Sequence, residues 1–224
     1  IKMTIHTVTI RKGRKYDQVL MGARSVFMAC GYGDANMDEV ARTAKVSKAT
    51  VYSYFPDKQR LFIEVVKTEC EHMAENAMEE IDQSKDIYQV LSKAAGYMVN
   101  FFLSEFSQRM FRICVAEADR IPELGRQFYE NGPMMGRQHI AAYLRKAAEA
   151  GEVEINDFEL AADQFAELCK ATLWPQAVFG IRSKFNDDEK QKTIDEILLI
   201  IEELCKKCPE LINEKQFHMA KMST

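Results

Sequence analysis

At 224 residues, with 47% hydrophobic and 29% charged side chains, five prolines and ten glycines, the chain has the make-up of a folded globular protein and excludes long disordered tracts. Its longest apolar run, ILLII at 197–201, is far too short to cross a bilayer. The opening IKMTIHTVTI lacks the apolar centre and cleavage site of a secretory signal, so a cytoplasmic protein with no membrane partner is expected. The net charge of −4 is unevenly spread: residues 1–60 carry eleven Lys/Arg against five Asp/Glu, and the rest carry nineteen against twenty-nine, so a basic end that suits a polyanion sits on an acidic body.

Helical periodicity runs through the whole chain. In KYDQVLMGARSVFMAC the set Val19, Ala23, Val26, Phe27 and Cys30 makes one buried stripe, which GYGDA interrupts. NMDEVARTA follows, with Asn36 as N-cap and Glu39 three residues on as the partner in a capping box; Met37, Val40, Ala41 and Ala44 face inward. Ser47 caps a third segment that buries Val51 and Phe55 and stops at Pro56, and Asp57 caps a long fourth helix, KQRLFIEVVKTECEHMAENAMEEI. Helices are then expected in DIYQVLSKAAGYMVNFFL, in FSQRMFRICVAEAD up to Ile121–Pro122, around GRQFYENGP, and in GRQHIAAYLRKAAEA, which Gly151 ends. Asn156 and Glu159 read as a second capping box opening DFELAADQFAELCKATLW, a helix that Pro175 must kink or shorten. A last helix spans about 188–207. No alternating strand pattern, repeat or low-complexity tract occurs, so the fold class is all-α.

Two short helices joined by a tight turn, the second basic and rich in hydroxyls, point to a helix-turn-helix at about 36–55. Small Ala41 and Ala44 let the two helices approach, and Val46, Val51 and Phe55 fill the wedge, which turns Lys48, Ala49, Thr50, Ser53 and Tyr54 outward and puts Tyr52 on the face of Lys48. Ser47, Thr50, Tyr52 and Lys58 are candidate phosphate contacts. Lys48, Ala49 and Ser53 suit base edges, where a lysine reaches guanine acceptors and an alanine a thymine methyl. Asn36 and Tyr54 complete the DNA-binding set.

The run MDEVARTAKVSKATVYSYFPDKQRLF resembles the DNA-binding signature of the tetracycline-repressor (TetR) family, A-x-x-A-G-V-S-x-x-T-hydrophobic-Y-x-Y/H-F-x-x-K-x-x-L, over about residues 14–62. One departure is Lys45, which stands where that pattern has glycine; at positive φ a non-glycine costs on the order of 1 kcal/mol. CVAEADRIPELGRQFYENGP and GEVEINDFELAADQF look like the ligand-binding region of one branch of the family. The resemblance implies a DNA-binding domain at 1–60 and a helical ligand-binding and dimerisation domain at 61–224. It also implies a homodimer pairing through 157–182 and 188–206, a double-stranded operator and a small-molecule effector, with no enzyme activity. A ligand-responsive repressor on a palindromic operator is the expected function; the alternative is a helical small-molecule-binding or adaptor protein whose DNA end is vestigial.

Residues 96–143 hold twelve Phe, Met or Tyr, chiefly helical core but also the kind of lining that adaptable amphipathic pockets use. Candidate effector contacts are Met98, Phe102, Met110, Cys114, Glu117, Met135, His139, Phe165, Cys169 and Trp174. Four isolated cysteines read as small hydrophobes. Cys205-x-x-Cys208 has no second pair or histidine cluster beside it, and the four histidines are scattered. No nucleophile elbow, phosphate loop or dinucleotide fingerprint occurs, so no catalytic residue, metal or cofactor is expected.

Overall fold

A computed structural model describes residues 13–81 and 87–200, apart from the side chains of 78, 80 and 81. All regular structure among the described residues is helical: α1 (Arg14–Asp34), α2 (Met37–Thr43), α3 (Lys48–Tyr54), α4 (Lys58–Ile81), α5 (Ile87–Leu103), α6 (Glu105–Ala116), α7 (Pro122–Asn131), α8 (Pro133–Glu149), α9 (Phe158–Leu168) and α10 (Leu173–Val178). An eleventh, α11, is helical from 187 to 200, where the described residues end; Cys205 and Cys208 lie outside them. No described helix is long and apolar enough to cross a membrane.

The chain divides into two compact units. The first joins the residues up to Glu71 with Arg109–Gly132; the second joins His72–Gln108 with the residues from Pro133 onward. This division of the chain falls inside α4, and α6 beyond Arg109 and α7 belong with the N-terminal helices. The reason is a shared core, since Leu61, Phe62, Val65 and Val66 of α4 bury the same apolar stripe that α1 offers through Val19, Ala23, Val26 and Phe27. Aromatic rings lock it: Phe62 meets Phe27 edge-on at 5.0 Å and Tyr32 at 5.4 Å.

The break expected at GYGDA takes the form of a kink. Gly31 adopts φ 78° within α1, and helical turns resume as far as Asp34. Cys30, the residue before the kink, falls outside the stripe assigned to it, and its thiol is exposed, while Cys70, Cys114 and Cys169 are buried, with their thiols pushed up to about 12 by burial.

In the second unit α5, α8, α9, α10 and α11 share one core that includes Leu91, Val99, Leu103, Ile140, Leu144, Phe165 and Ile197. Gly151, at φ 77°, ends α8 as expected: Glu152 N–H donates to Ala147 O at 2.9 Å and Gly151 N–H to Ala148 O, the paired bonds of a Schellman stop. The cap of α9 is Asp157 rather than Asn156. Its carboxylate accepts from Leu160 N–H at 2.9 Å, and Glu159 turns away to pair with Arg145. The long helix expected through Trp174 breaks at Cys169–Thr172, where Thr172 adopts φ 63°. Pro175 sits in the first turn of α10, where a missing N–H costs nothing. A full capping box not read from the sequence opens α11: Glu189 N–H donates to Asn186 Oδ1 at 2.8 Å and Asn186 N–H to Glu189 Oε2 at 3.0 Å.

Candidate nucleic-acid interface

Three side-chain caps, each reaching three residues forward, define the start of α2, α3 and α4. Asn36 Oδ1 accepts from Glu39 N–H at 2.8 Å, Ser47 Oγ from Thr50 N–H at 3.1 Å, and Asp57 Oδ1 from Arg60 N–H at 2.7 Å. Glu39 does not reach back to close the expected box; it takes Arg42 in a bidentate pair. Between α2 and α3 the chain turns on Lys45. Val46 N–H donates to Ala41 O at 3.0 Å and Lys45 N–H to Arg42 O at 3.2 Å, a second Schellman stop with Lys45 in the left-handed position at φ 56°. The turn that glycine would make is thus made by an exposed lysine, next to Ala44, which packs against α1.

That packing depends on a residue the sequence reading passed over. A Cβ on Gly22 of α1 would stand 2.7 Å from Ala44 Cβ and 2.8 Å from Ala44 N, so only glycine lets the turn lie against α1. At the far end of α3, Tyr16 of α1 donates its hydroxyl to Glu64 of α4 at 2.5 Å and packs against Tyr54 and Phe55, each at 5.5 Å between ring centres. Burial, then Glu64, pushes the Tyr16 phenol far above its usual range.

The outward face of α3 carries Lys48, Ala49, Tyr52 and Ser53, all exposed. Lys48 Nζ lies 6.0 Å from the Tyr52 ring centre, which places the two on the common face their spacing requires, and pairs with Asp38 of α2 at 2.7 Å. The bond to Asp38 raises the lysine above its usual range, so the ammonium stays charged. Ser53 returns its hydroxyl to Thr50 O at 2.7 Å, and Thr50, half-buried, shares a hydrogen bond with Ser47 at 2.8 Å. Two expected contacts stand elsewhere. Tyr54 is half-buried against Tyr16 rather than turned outward, because α3's last turn meets α1. Lys58 points its ammonium inward, to Tyr32 O at 2.6 Å, Ala35 O at 2.8 Å and Gly33 O at 3.1 Å, and lies 4.5 Å from the Tyr32 ring centre. Desolvation there, reinforced by Arg120, lowers its pKa.

The ten candidate effector contacts fall into two sets. Met110, Cys114 and Glu117 belong to the first unit: the first two are buried core, and Glu117 pairs with Arg120 at 2.6 Å. The other seven belong to the second unit. Phe165 and Cys169 lie in its core; Met98, Phe102 and Trp174 pack against that core, partly buried; Met135 is half-buried and His139 is exposed. The sequence reading missed Lys170, whose ammonium sits 5.7 Å from the Phe102 ring centre and 5.6 Å from that of Trp174. A separate cleft of about 550 Å³ in the first unit is lined by Asp57, Gln59, Arg60, Ile63, Glu123, Arg126 and Gln127, but Arg126 is spent on Glu123 and Glu130.

A capped two-helix motif with a tight turn, an exposed lysine-, hydroxyl- and tyrosine-bearing second helix, and a third helix packed behind defines a helix-turn-helix DNA-binding protein. Comparison with known proteins carries this further. The family model for bacterial regulatory proteins of the tetR family matches residues 19–65, and that for the C-terminal domain of AefR-like transcriptional repressors matches 89–203. The chain belongs to the TetR family of transcriptional regulators. A regulator from Mesorhizobium loti assigned to that family is 26% identical, with a TM-score of 0.73 over 84% of this chain and 96% of its own. The flavonoid-responsive regulator FrrA is 29% identical, with a TM-score of 0.66 over 87% and 98%. Among curated proteins, the HTH-type regulator YhgD of Bacillus subtilis is 26% identical over 59% of this chain, and the HTH-type transcriptional activator FasR of Mycolicibacterium smegmatis 29% over 47%. The chain spans 66% and 47% of the lengths of those two relatives.

Proposed function

We propose that the protein is a homodimeric, ligand-responsive repressor that leaves a palindromic operator when a small amphipathic molecule binds its second unit. The observation that carries the DNA half is the α3 face. Lys48, Ala49, Tyr52 and Ser53 stand clear of the protein on a helix whose start and turn are fixed by Ser47 and Lys45, as a recognition helix in a major groove requires. Lys48 exchanges Asp38 for DNA; Tyr52 and the Ser47–Thr50 hydroxyl pair serve phosphates. Lys45, the departure from the family pattern and so the feature that would favour a vestigial DNA end, completes a Schellman stop in the folded turn, which speaks for an intact motif.

Repression is supported by the AefR-like repressor domain matched at 89–203, and response to a ligand by the likeness to FrrA. Pairing of two copies is supported by the large apolar side chains left exposed on α9 and α11, Leu160, Leu199 and Ile200, and at the end of α10 and just beyond it, Phe179 and Ile181. Two copies related by a two-fold axis present their α3 helices about 34–36 Å apart, one turn of DNA. A ligand that favours another spacing lowers operator affinity; tenfold release needs about 1.4 kcal/mol of coupling.

Reciprocal linkage tests the effector half. Amphipathic compounds, flavonoids among them, are titrated against the protein–operator complex and against free protein. A compound that releases operator must bind free protein more tightly than the complex by the same factor. Compounds that bind equally well to both, with none releasing DNA, would remove the ligand-responsive part of the reading.

A further inference from the structure

The end of α1 exposes a local deficit. Gly31 breaks the regular ladder, no basic residue lies in the last turn, and the carbonyls that follow have no helical N–H to accept from. They, together with the Ala29 carbonyl just before the kink, are held by cations from two other helices. Lys58 of α4 donates to the carbonyls of Tyr32, Gly33 and Ala35, and Arg109 of α6 donates through Nη2 to Ala29 O at 3.0 Å. An ammonium has three donors, and Lys58 meets three acceptors, so it reaches a DNA phosphate only by giving one up. Ala35, the last carbonyl held, is followed at once by Asn36, the cap of the helix that leads into the turn and α3.

We infer that Lys58 and Arg109 form a two-cation clamp on the kinked end of α1, and that Lys58 acts in DNA binding as a positioning residue that sets the α1–α2 corner rather than as a phosphate contact. The clamp also gives the 109–132 segment a direct hold on the helix-turn-helix, since Arg109 opens that segment and Glu117, with Arg120, stands close enough to Lys58 to affect its charge. The inference rests on the reading of the chain as a DNA-binding regulator, but its structural half is open to measurement without DNA.

The test uses the full chain with Lys58→Met, Lys58→Arg and Arg109→Gln. Amide hydrogen exchange is followed in peptides covering 29–35, and binding to a fluorescent duplex is followed over a salt series. The clamp predicts about tenfold faster exchange at 29–35 in Lys58→Met and in Arg109→Gln, with α3 peptides little changed. It predicts weaker DNA binding by Lys58→Met at every salt concentration, with the slope of log affinity against log salt unchanged, since no phosphate partner is lost. A phosphate contact predicts the opposite pair: exchange unaltered, and a slope smaller by about one charge. Either of those results overturns the clamp. Lys58→Arg guards against a Lys58→Met that fails to fold. It keeps the charge but replaces the three-pronged ammonium by a planar fork, so faster exchange is expected with the slope intact, and wild-type exchange overturns the clamp. A wild-type protein that binds no duplex in a salt-dependent way would end the regulator reading, and exchange at 29–35 would still decide the clamp.

Discussion

The two units use the same local devices and leave different surfaces bare. Each starts several of its helices with side-chain caps three residues ahead of the amide they serve, Asn36, Ser47 and Asp57 in one and Asp157 and Asn186 in the other. Each stops a helix with a Schellman turn, at Lys45 and at Gly151. What differs is where exposed apolar side chains gather: the first unit bares Met21 and Val115 far apart in the chain, the second Phe179 and Ile181 two residues apart. The first unit shows Lys48, Tyr52 and Ser53 on α3, side chains that lose little in water and can pair with a polyanion. The second shows Phe179 and Ile181, 80% and 71% exposed, which water penalises and another apolar surface would relieve. Caps fix where helices lie; the bare face is the better guide to what each unit meets.

That contrast can be broken or sharpened by substitution. The largest effect is expected from Phe62→Ala, which empties the ring cluster with Phe27 and Tyr32 and should cost about 3–5 kcal/mol in denaturant unfolding, with DNA binding lost alongside. Phe179→Asp with Ile181→Asp should cost at least about 2 kcal/mol of self-association, read by sedimentation, while each chain keeps its helical circular dichroism. A variant that stays dimeric would move the pairing surface elsewhere. Gly22→Ala forces a methyl against Ala44, and a loss of about 1–3 kcal/mol is expected, with weaker DNA binding because the turn itself shifts. The smallest and sharpest comparison pairs Ser47→Ala with Asp157→Ala. Each removes one cap and should cost about 1 kcal/mol, but only Ser47→Ala should weaken DNA binding. Equal effects on DNA binding would erase the distinction between the units.

The all-α fold and the helix-turn-helix were legible because their signals are local. An apolar period, a capping residue and a stop each act within four residues, and Met37–Thr43, Lys48–Tyr54 and Lys58–Ile81 stand where those signals place them. Errors arose where a partner comes from far along the chain. Lys58 reads as a solvated phosphate ligand until carbonyls some 23–26 residues upstream are brought to it. Tyr54 reads as exposed until Tyr16 packs on it, and Cys30, next to the kink at Gly31, is exposed although periodicity assigns it to the buried stripe. Asn156 and Asp157 are both plausible caps, and Arg145, fourteen residues before Glu159, draws that carboxylate out of the capping box. The effector contacts were least legible: side chains of one chemical type between 96 and 143 are shared between two cores.

The central claim is that α3 reads DNA sequence as one of a symmetric pair. Selection of bound duplexes from a random pool, carried out with wild type and with the Lys48→Ala/Tyr52→Phe variant, tests it most directly. The account predicts that wild type enriches an inverted repeat with half-sites about one helical turn apart and that the variant enriches none. Retention of duplexes by wild type and variant alike, with no sequence enriched by either, would contradict it.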